Sequence, residues 1–356
     1  MNIKDNINNA GSAWMNVDGP ESDIVVSSRV RVARNLKGYP YPHLLEQEKA
    51  ADIIRAAGLA LQDKALAEET GGFEVARMAE LSPVERQILV EKHLISPDLL
   101  VGYEKKAVAL RDDEVLSVMI NEEDHLRIQC LLPGLQLKKA WELVDRVDDG
   151  MENTMDFAFS EKFGYLTTCP TNAGTGMRAS VMLHLPGLVL LDQLKGILIS
   201  ISKLGFTARG LYGEGTEALG NLFQISNQVT MGRPEEEIIN SLNSVAVQLM
   251  LQEREARKVL LRERGEQLKD RVGRSYGILG HAHIISAEES MRRISDLKLG
   301  LDLGLIKDIN PVQLMKLMVM TRPAFLLQQQ QGHFAPLQRD VQRAELIRKS
   351  LKGEVI

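Results

Sequence analysis

The sequence predicts an α+β protein, in which a mixed region of strands and helices, residues 1–240, precedes an all-α region, residues 241–356. Before about residue 230, short runs of alternating apolar and polar residues are separated by turns rich in glycine and proline, as expected for strands. Beyond Pro234, charged and apolar residues recur at helical spacing. At roughly 150 residues per domain, a chain of 356 residues favours two domains.

Three runs in the first region are the clearest strand candidates. They are DIVVSSRVRVARNL (23–36), VLSVMINEEDHLRIQCLL (115–132) and MRASVMLHLPGL (177–188). Successive side chains of a strand point to opposite faces. The first run therefore places Arg29 and Arg31 on one face and valines on the other.

Helix-start signals mark the second region. Pro234 and three following glutamates form a favourable first turn, and the helical pattern then extends to about Arg271. Ser286 and Glu289 have the spacing of a capping box. Asn310, followed by a proline, is predicted to be an N-cap.

Composition excludes several classes of protein. A net charge of −5 argues against a dedicated nucleic-acid binder, which would be basic. The two cysteines, Cys130 and Cys169, are too few for a disulfide framework and suit a reducing compartment. The polar N-terminus lacks a signal peptide, and no apolar run approaches the roughly 20 residues of a membrane span. We therefore expect a cytoplasmic protein with no membrane segment and no direct nucleic-acid contact.

Arginines recur on the predicted strands and beside glycine-rich turns. Four separate segments contain them, and the residues are Arg29, Arg31, Arg127, Arg178 and Arg209. A solvated strand face would explain any one of these arginines, but the repetition favours a polyphosphate ligand. A guanidinium stays charged and binds phosphate oxygens in forked pairs.

Strand alternation also orders the acidic residues of NEEDHLR (121–127). It places Glu123, His125 and Arg127 on one face and Glu122 on the other, unless Glu122 lies in a turn. Of the two carboxylates, Glu123 is thus the first candidate for a site that also contains Arg127.

Common phosphoryl-transfer motifs are missing from the sequence. It contains neither the G-x-x-x-x-G-K-[ST] loop nor the H-R-D and D-F-G motifs of protein kinases. A phosphotransferase with this sequence would therefore belong to another class.

Four motifs resemble those of the phosphagen (guanidino) kinases, the family of creatine and arginine kinases. They are SSRVR (27–31), NEEDHLR (121–127), CPTNAGTGMRA (169–179) and RGLYGEGTE (209–217), in the family's order. The resemblance implies an antiparallel sheet flanked by helices. It also implies ATP as phosphoryl donor, with Mg²⁺ bound to the nucleotide.

The resemblance further implies roles for individual residues. Glu123 would be the base, with Glu122 as its alternative. Glu214 would be the second carboxylate that pairs with the substrate guanidinium, and Cys169 would orient that group as a thiolate. His93 would pack on adenine, and the glycine-rich loop after Cys169 would let backbone approach the nucleotide. The implied ATP-binding set is Ser27, Ser28, Arg29, Val30, Arg31, His93, Arg127, Arg178, Ala179, Ser180, Val181, Met182, Arg209, Gly210, Leu211, Tyr212 and Gly213.

Two departures from the family pattern concern the ends of the chain. Only about 26 residues precede Ser27, where the family has a small helical domain that recognises a free guanidino substrate. We therefore expect an open site that admits a protein loop. A helical region also follows residue 240, as in the branch of the family that phosphorylates arginine side chains of proteins.

The phosphoarginine-binding motif of that branch, R-D-x-x-R-A, is present as Arg339, Asp340, Arg343 and Ala344 with two intervening residues. On a helix, Arg339 and Arg343 are one turn apart on one face. They are predicted to grip one phosphate together.

The resemblance thus implies an ATP-dependent kinase that acts on exposed arginines of proteins and marks them for degradation under stress. Two alternatives remain: a kinase of free guanidino compounds, and a non-catalytic adaptor that binds phosphoarginine. The implied partners are a zinc-binding activator protein, an AAA+ unfoldase–protease and a heat-shock repressor as target. The helical region would form a homodimer.

Overall fold

The structure, a computed structural model, describes residues 3–9, 11–210, 218–330 and 335–353. Its centre is an antiparallel sheet of eight strands in the order β2-β3-β4-β5-β1-β8-β10-β9. This architecture confirms the predicted α+β class. The strands, with a separate hairpin formed by β6 and β7, are β1 Val25–Arg34, β2 Phe73–Arg77, β3 Ala107–Arg111, β4 Leu116–Ile120, β5 Leu126–Pro133, β6 Phe159–Ser160, β7 Gly164–Tyr165, β8 Met177–His184, β9 Phe206–Gly210 and β10 Leu222–Asn227.

Two of the three predicted strands form as single strands, β1 and β8, but the second divides into β4 and β5. The break follows Asn121, whose φ of 59° lies in the left-handed region. Asparagine tolerates that conformation better than most residues. Residues 121–125 therefore form a bend, which the backbone N–H of Asn121 closes by donating to the carbonyl of His125 at 2.8 Å.

Helices cover both faces of the sheet. In the described parts of the chain, no helix has an apolar stretch long enough to cross a membrane. The helices are α1 Ile3–Asn8, α2 Gln47–Leu61, α3 Lys64–Thr70, α4 Pro83–Glu91, α5 Leu137–Glu152, α6 Pro186–Leu190, α7 Leu194–Lys203, α8 Glu235–His281, α9 Ala287–Asp302, α10 Pro311–Met320, α11 Pro323–Gln330 and α12 Pro336–Leu351.

The first face of the sheet packs on α2, α5, α6, α7 and the N-terminal half of α8. Alternate residues of the central strands enter this core, such as Val30 and Val32 of β1 and Ala179 and Val181 of β8. Such alternation buries one face of a strand and leaves the other for a different layer. Arg29 and Arg31 of β1 and Arg178 of β8 consequently point to the second face.

The second face carries both N-terminal and C-terminal elements. Its hydrophobic core joins residues of α1 and α4 to residues of α9, α10, α11 and α12, together with Met119 and Leu131 of the sheet. The C-terminal helices therefore cover part of the sheet face that bears the arginines.

Helix α8 connects the two regions. It begins directly after Pro234, as predicted, and continues ten residues beyond Arg271, with one non-helical backbone conformation at Arg264. Residue 240 lies within its first turns, and the division of the chain at that residue remains a prediction.

The two predicted N-caps of the C-terminal helices are present. The hydroxyl of Ser286 accepts a hydrogen bond from the backbone N–H of Glu289 at 3.1 Å. The side chain of Asn310 accepts from the N–H groups of Val312 and Gln313. These local signals located the starts of α9 and α10.

Glu253 ties α8 to the sheet region. Its fully buried carboxylate accepts hydrogen bonds from the N–H groups of Gly187 and Leu188, both at 2.9 Å, and from Nε of Arg257 at 2.7 Å. If this carboxylate were removed, the three donors would stay buried without their common acceptor, which is unfavourable.

Replacing Glu253 by alanine is expected to lower the free energy of unfolding by about 3–5 kcal/mol, because it breaks a buried ion pair and leaves two buried N–H donors without an acceptor. The guanidinium of Arg257 then keeps only its weaker ion pair with Asp302, at 3.3 Å. Urea unfolding followed by circular dichroism measures the loss. The matched control is Glu255→Ala, which removes an exposed carboxylate from the same helix and should leave the unfolding midpoint nearly unchanged. Equal midpoints for the two variants would contradict an anchoring role for Glu253.

Candidate active site

A cavity of about 790 Å³ opens on the second face of the sheet. Its lining residues come from five strands, from the bend before β5, from α4 and the segment after it, and from the C-terminal helices. All five arginines that the sequence singled out line it. The lining residues are Arg29, Arg31, Gln87, Val90, Glu91, His93, Ile95, Ser96, Pro97, Asp98, Glu123, Arg127, Gln129, Arg178, Arg209, Gly210, Gln224, Ala287, Arg322 and Pro323.

Positive charge is concentrated around Arg31. This residue lies opposite Arg178 in the pairing of β1 with β8, and like charges in that position destabilise a sheet. Burial first, and then the charges of neighbouring arginines, lowers the pKa of Arg31 well below its usual value. The Nε atoms of Arg31 and Arg178 are buried without a hydrogen-bond partner among the described residues. An anion with several oxygens would offset the repulsion and accept from these donors.

The other arginines of the cavity have partial partners. Nη2 of Arg29 donates to Oε1 of Gln224 at 2.8 Å, and Nη2 of Arg178 donates to the hydroxyl of Ser226 at 3.3 Å. Burial, then the charge of Arg209, lowers the pKa of Arg178. These hydrogen bonds help to orient both guanidiniums.

Glu122 does neutralise one arginine. Nη1 of Arg127 donates to both of its carboxylate oxygens, at 2.7 and 2.6 Å, and the hydroxyl of Ser96 donates to the same carboxylate. Burial would raise the pKa of Glu122, but the charge of Arg127 and these hydrogen bonds outweigh it, and the pKa is lowered. Glu122 thus holds Arg127 in position.

The alternation that ranked Glu123 above Glu122 was wrong in its premise, because residues 121–125 form a bend and not a strand. Glu122 pairs with Arg127 although alternation placed the two on opposite faces. His125, which alternation placed beside Arg127, is fully buried elsewhere, where its Nδ1 accepts from the N–H of Leu36. The preference for Glu123 as base therefore rests on other observations.

Glu123 differs from Glu122 in its exposure and in the charged groups around it. The side chain of Glu123 is exposed and lines the cavity. Partial burial, followed by the charge of Asp124, raises the pKa of Glu123, with Arg127 opposing the shift. Glu122, fully engaged by Arg127 and Ser96, has no comparable freedom to take a proton.

Asp124 joins the bend to the loop that contains Cys169. Its buried carboxylate accepts from the side chain of Asn35 at 2.6 Å and from the N–H of Thr168 at 2.7 Å. Within the loop, Sγ of Cys169 lies 3.0 Å from the hydroxyl of Thr171. The side chain of Asn172 reaches Glu123, Nδ2 to Oε2, at 3.4 Å. The loop of Cys169 is thus attached to the carboxylate of the predicted base.

Two glycines of this loop lie very close to the backbone of other segments. A Cβ on Gly174 would lie 2.7 Å from the carbonyl oxygen of Thr230, and a Cβ on Gly176 would lie 2.6 Å from that of Ala33. Both glycines also have positive φ. They allow the loop to pack on protein backbone, and the prediction that the loop lets backbone approach the nucleotide stays a prediction.

His93 lies at another part of the cavity. It adopts a φ of 61°, and its ring centroid is 5.6 Å from that of Trp14. Burial, then the charges of Arg29 and Arg322, lowers its pKa to about 3. The imidazole is therefore neutral at physiological pH and suits contact with an uncharged ring.

Several residues of the predicted ATP-binding set turn away from the cavity. Val30, Ala179 and Val181 point into the core on the first face, because they alternate with residues of the cavity face. The hydroxyl of Ser28 donates to the carbonyl of Gly134. The side chains of Ser27, Ser180 and Met182 are also buried. These seven residues are not among those that line the cavity, and their place in the ATP site stays a prediction.

Four residues of the predicted site lie outside the described residues: Leu211, Tyr212, Gly213 and Glu214. The strand that leads to them, β9, ends at Gly210, which lines the cavity with Arg209.

The R-D-x-x-R-A motif lies on α12 but is not a simple exposed pair of arginines. Arg343 is only 2% exposed. Its Nε donates to the carbonyl of Thr321 at 2.8 Å, and its Nη1 donates to the carbonyl of Ile285 at 3.0 Å and to Asp340. Arg339 is partly exposed. The helical repeat places Arg339 and Arg343 on one face but does not show what covers that face, and the prediction that they grip one phosphate together stays a prediction.

Sequence reasoning missed several lining residues. Gln129 follows Arg127 by two positions on β5, so strand alternation could have found it. Glu91 and Arg322 carry no motif, and their place in the cavity follows only from the packing of α4 and α11 on the second face. Among the described residues, no cluster of histidine, cysteine, aspartate or glutamate could hold a metal ion by itself.

Comparison with protein families matches both regions of the chain. A family model described as ATP:guanido phosphotransferase, C-terminal catalytic domain, matches residues 56–256. A second, described as protein-arginine kinase McsB C-terminal domain, matches residues 265–354.

Individual proteins resemble the whole chain. A protein-arginine kinase of Pelotomaculum thermopropionicum is 60% identical over 350 residues, which cover 98% of each chain. One of Desulforamulus reducens is 56% identical over 353 residues, which cover 99% of each chain.

Solved structures share the fold at low sequence identity. The crystal structure of lombricine kinase has a TM-score of 0.57 at 22% identity and covers 69% of this chain and 70% of its own. A duplicated taurocyamine kinase from Schistosoma mansoni has the same TM-score at 21% identity, over 84% of this chain and 50% of its own.

Proposed function

The chain belongs to the protein-arginine kinases of the ATP:guanido phosphotransferase family, and we propose that the arginine-lined cavity is the site where its reaction occurs. The activity is the ATP-dependent phosphorylation of arginine. A phosphorus–nitrogen bond forms between the γ-phosphoryl group and the guanidinium, the bond to the leaving ADP oxygen breaks, and the guanidinium loses one proton.

The observation that supports this site is the close approach of two arginines, Arg31 and Arg178, in the cavity. Arg31 and Arg178 lie directly opposite each other on the paired strands β1 and β8. Their buried Nε donors lack hydrogen-bond partners among the described residues. Such an arrangement is costly unless an anion completes it. The polyphosphate of ATP supplies that anion. Preformed guanidiniums can then stabilise the charge that spreads over the transferred group.

We assign the role of base to Glu123. A guanidinium has a pKa above 12 in water, so it reacts as a nucleophile only if a nearby group orients it and removes a proton. Glu123 is exposed in the cavity, and its raised pKa makes it a better proton acceptor than an ordinary glutamate. Glu122 is assigned to hold Arg127 toward the phosphates.

Two further assignments follow the family resemblance. Glu214 is proposed as the second carboxylate that pairs with the substrate guanidinium. Cys169 is proposed to lie beside that guanidinium, which agrees with the attachment of its loop to Glu123 through Asn172. The remaining predicted ATP-binding residues keep their proposed place in or behind the nucleotide site. Mg²⁺ is proposed to enter with ATP as part of the substrate, held by phosphate oxygens and water.

The helical region, residues 241–356, is proposed to bind phosphoarginine and to form a homodimer. Arg339, Asp340, Arg343 and Ala344 are the proposed phosphoarginine residues. Because Nε and Nη1 of Arg343 already serve carbonyl groups, only its remaining donors could reach a phosphate in this arrangement. Arg339 would supply the more accessible charge.

The cellular setting is proposed from the same resemblance. The substrates would be cytoplasmic proteins with exposed arginines, phosphorylated under stress and passed to an AAA+ unfoldase–protease. A zinc-binding activator protein would stimulate the kinase, and a heat-shock repressor would be among its targets. Phosphoarginine bound to the helical region would regulate activity allosterically.

The substrate class can be tested with ATP labelled at the γ-position. The full chain should transfer label to an unfolded protein at a higher kcat/KM than to free arginine, since neighbouring peptide backbone adds binding surface. The product should lose its label in acid, as a phosphorus–nitrogen bond does, and EDTA should stop the transfer by removing Mg²⁺. Preference for free arginine would favour a phosphagen kinase. Phosphoarginine binding without any transfer would favour an adaptor.

A further inference from the structure

The C-terminal helices contribute residues to the cavity. Arg322 and Pro323 lie at the junction of α10 and α11, and Ala287 is the first residue of α9. All three line the cavity on the side opposite the sheet. They fall within residues 265–354, which match the C-terminal family model and lie beyond the match to the catalytic one. Arg322 is thus a cation that this region places at the proposed nucleotide site.

The backbone around Arg322 is held on both sides. The carbonyl of Thr321 accepts from Nε of Arg343 at 2.8 Å. On the other side, the carboxylate of Glu91 accepts from the N–H groups of Ala324 and Phe325, at 3.1 and 3.3 Å. Glu91 is buried at the end of α4 and itself lines the cavity. These contacts fix the backbone of the segment that carries Arg322 into the cavity.

The contacts of the backbone next to Arg322 place this residue near His93, because Glu91, which accepts from Ala324 and Phe325, precedes His93 by only two residues. In agreement, the charge of Arg322 acts together with that of Arg29 on His93, and it also acts on Glu91. Arg29 acts in turn on Arg31, which also feels Arg127 and Arg178, and Glu123 acts on Arg178. Arg322 therefore belongs with His93 and Arg29, away from the carboxylate assigned as base.

We propose that Arg322 is a nucleotide-binding residue, which the C-terminal helical region supplies to the α-phosphate end of ATP. The inference rests on the proposed function of the cavity. If His93 and Glu123 mark the adenine and γ-phosphoryl ends of the nucleotide, a guanidinium beside His93 and Arg29 meets the phosphate nearest the sugar. Because ATP and ADP share that phosphate, Arg322 binds both nucleotides equally and contributes little to the chemical step.

The test compares full-length variants in equilibrium titrations with ATP and with ADP. Arg322→Ala should weaken the binding of both nucleotides by roughly ten-fold, the loss expected for one charge-assisted hydrogen bond. The kcat at saturating ATP should stay within about two-fold of wild type, because uniform binding affects KM alone. Arg322→Lys should recover part of the affinity. The matched control is Arg292→Ala on α9, whose side chain is 66% exposed and pairs with Glu288, and it should bind ATP normally.

Three results would overturn the inference: unchanged nucleotide affinity in Arg322→Ala, a loss for ATP but not for ADP, or a fall in kcat as large as the rise in KM. Arg31→Ala separates this failure from failure of the proposed site. If Arg31→Ala loses ATP binding and Arg322→Ala does not, only the role of Arg322 is wrong. If neither variant loses binding, the cavity is not the nucleotide site. Thermal unfolding verifies that each variant is folded, and Arg322→Gln replaces the alanine variant if that one is not.

Discussion

Glu123→Gln is expected to lower kcat by about 10²–10⁴, the contribution typical of a general base. The substitution keeps the shape of the side chain and its contact with Asn172 but removes the proton acceptor. ATP affinity should change little, because the arginines that face the phosphates remain in place. Steady-state kinetics with a protein substrate, together with ATP titrations, measure both quantities.

The pH profile provides a second measure of the same role. A base must be deprotonated to act, so kcat should fall as the pH is lowered through the pKa of Glu123. Burial and the charge of Asp124 raise that pKa, so the fall should begin at a higher pH than for a glutamate of ordinary pKa, about 4.3. The acid limb assigned to Glu123 should disappear in Glu123→Gln.

Glu122→Gln is the matched control for the base. It leaves Arg127 without its carboxylate partner, so ATP binding should suffer more than in Glu123→Gln. If Glu123→Gln keeps near wild-type turnover and Glu122→Gln loses it, the two assignments must be exchanged.

Arg178→Lys is expected to lower kcat/KM by roughly 10²–10³, the loss seen when one preorganised donor to a developing charge is removed. Lysine keeps the positive charge but loses the planar fork that binds phosphate in two places. Nη2 of Arg178 is held by the hydroxyl of Ser226, so the fork has a fixed orientation that an ammonium group cannot reproduce. Single-turnover kinetics separate this loss from an effect on product release.

The matched control for Arg178→Lys is Arg55→Lys. Arg55 lies on α2, is 70% exposed and pairs with Asp52, so its replacement should leave kcat/KM unchanged. Comparable activity in Arg178→Lys and in Arg55→Lys would mean that Arg178 supplies only diffuse positive charge.

Much of the site could be predicted because its residues lie in short motifs on regular strands. The alternation in β1 and β8 assigns Arg29, Arg31 and Arg178 to one face, and the structure places all three in the cavity. The family motifs add Arg127 and Arg209. Alternation failed at residues 121–125, where the backbone of Asn121 turns left-handed and the strand ends. Side chains alternate between the two faces of a sheet only as long as the strand continues.

The sequence by itself determined the class of the fold, the starts of α9 and α10, and the five arginines that meet at the cavity. These features depend on local periodicity, helix caps and motifs, all of which act within a few residues. Only the tertiary structure decided that α9 to α12 cover the second face of the sheet, that Arg343 is buried against Thr321 and Ile285, and that Arg322 lines the cavity. The physical reason is that a helical repeat shows which face of a helix is apolar but not which surface covers it. That choice depends on contacts between α4 and α11, which are more than 200 residues apart in the chain.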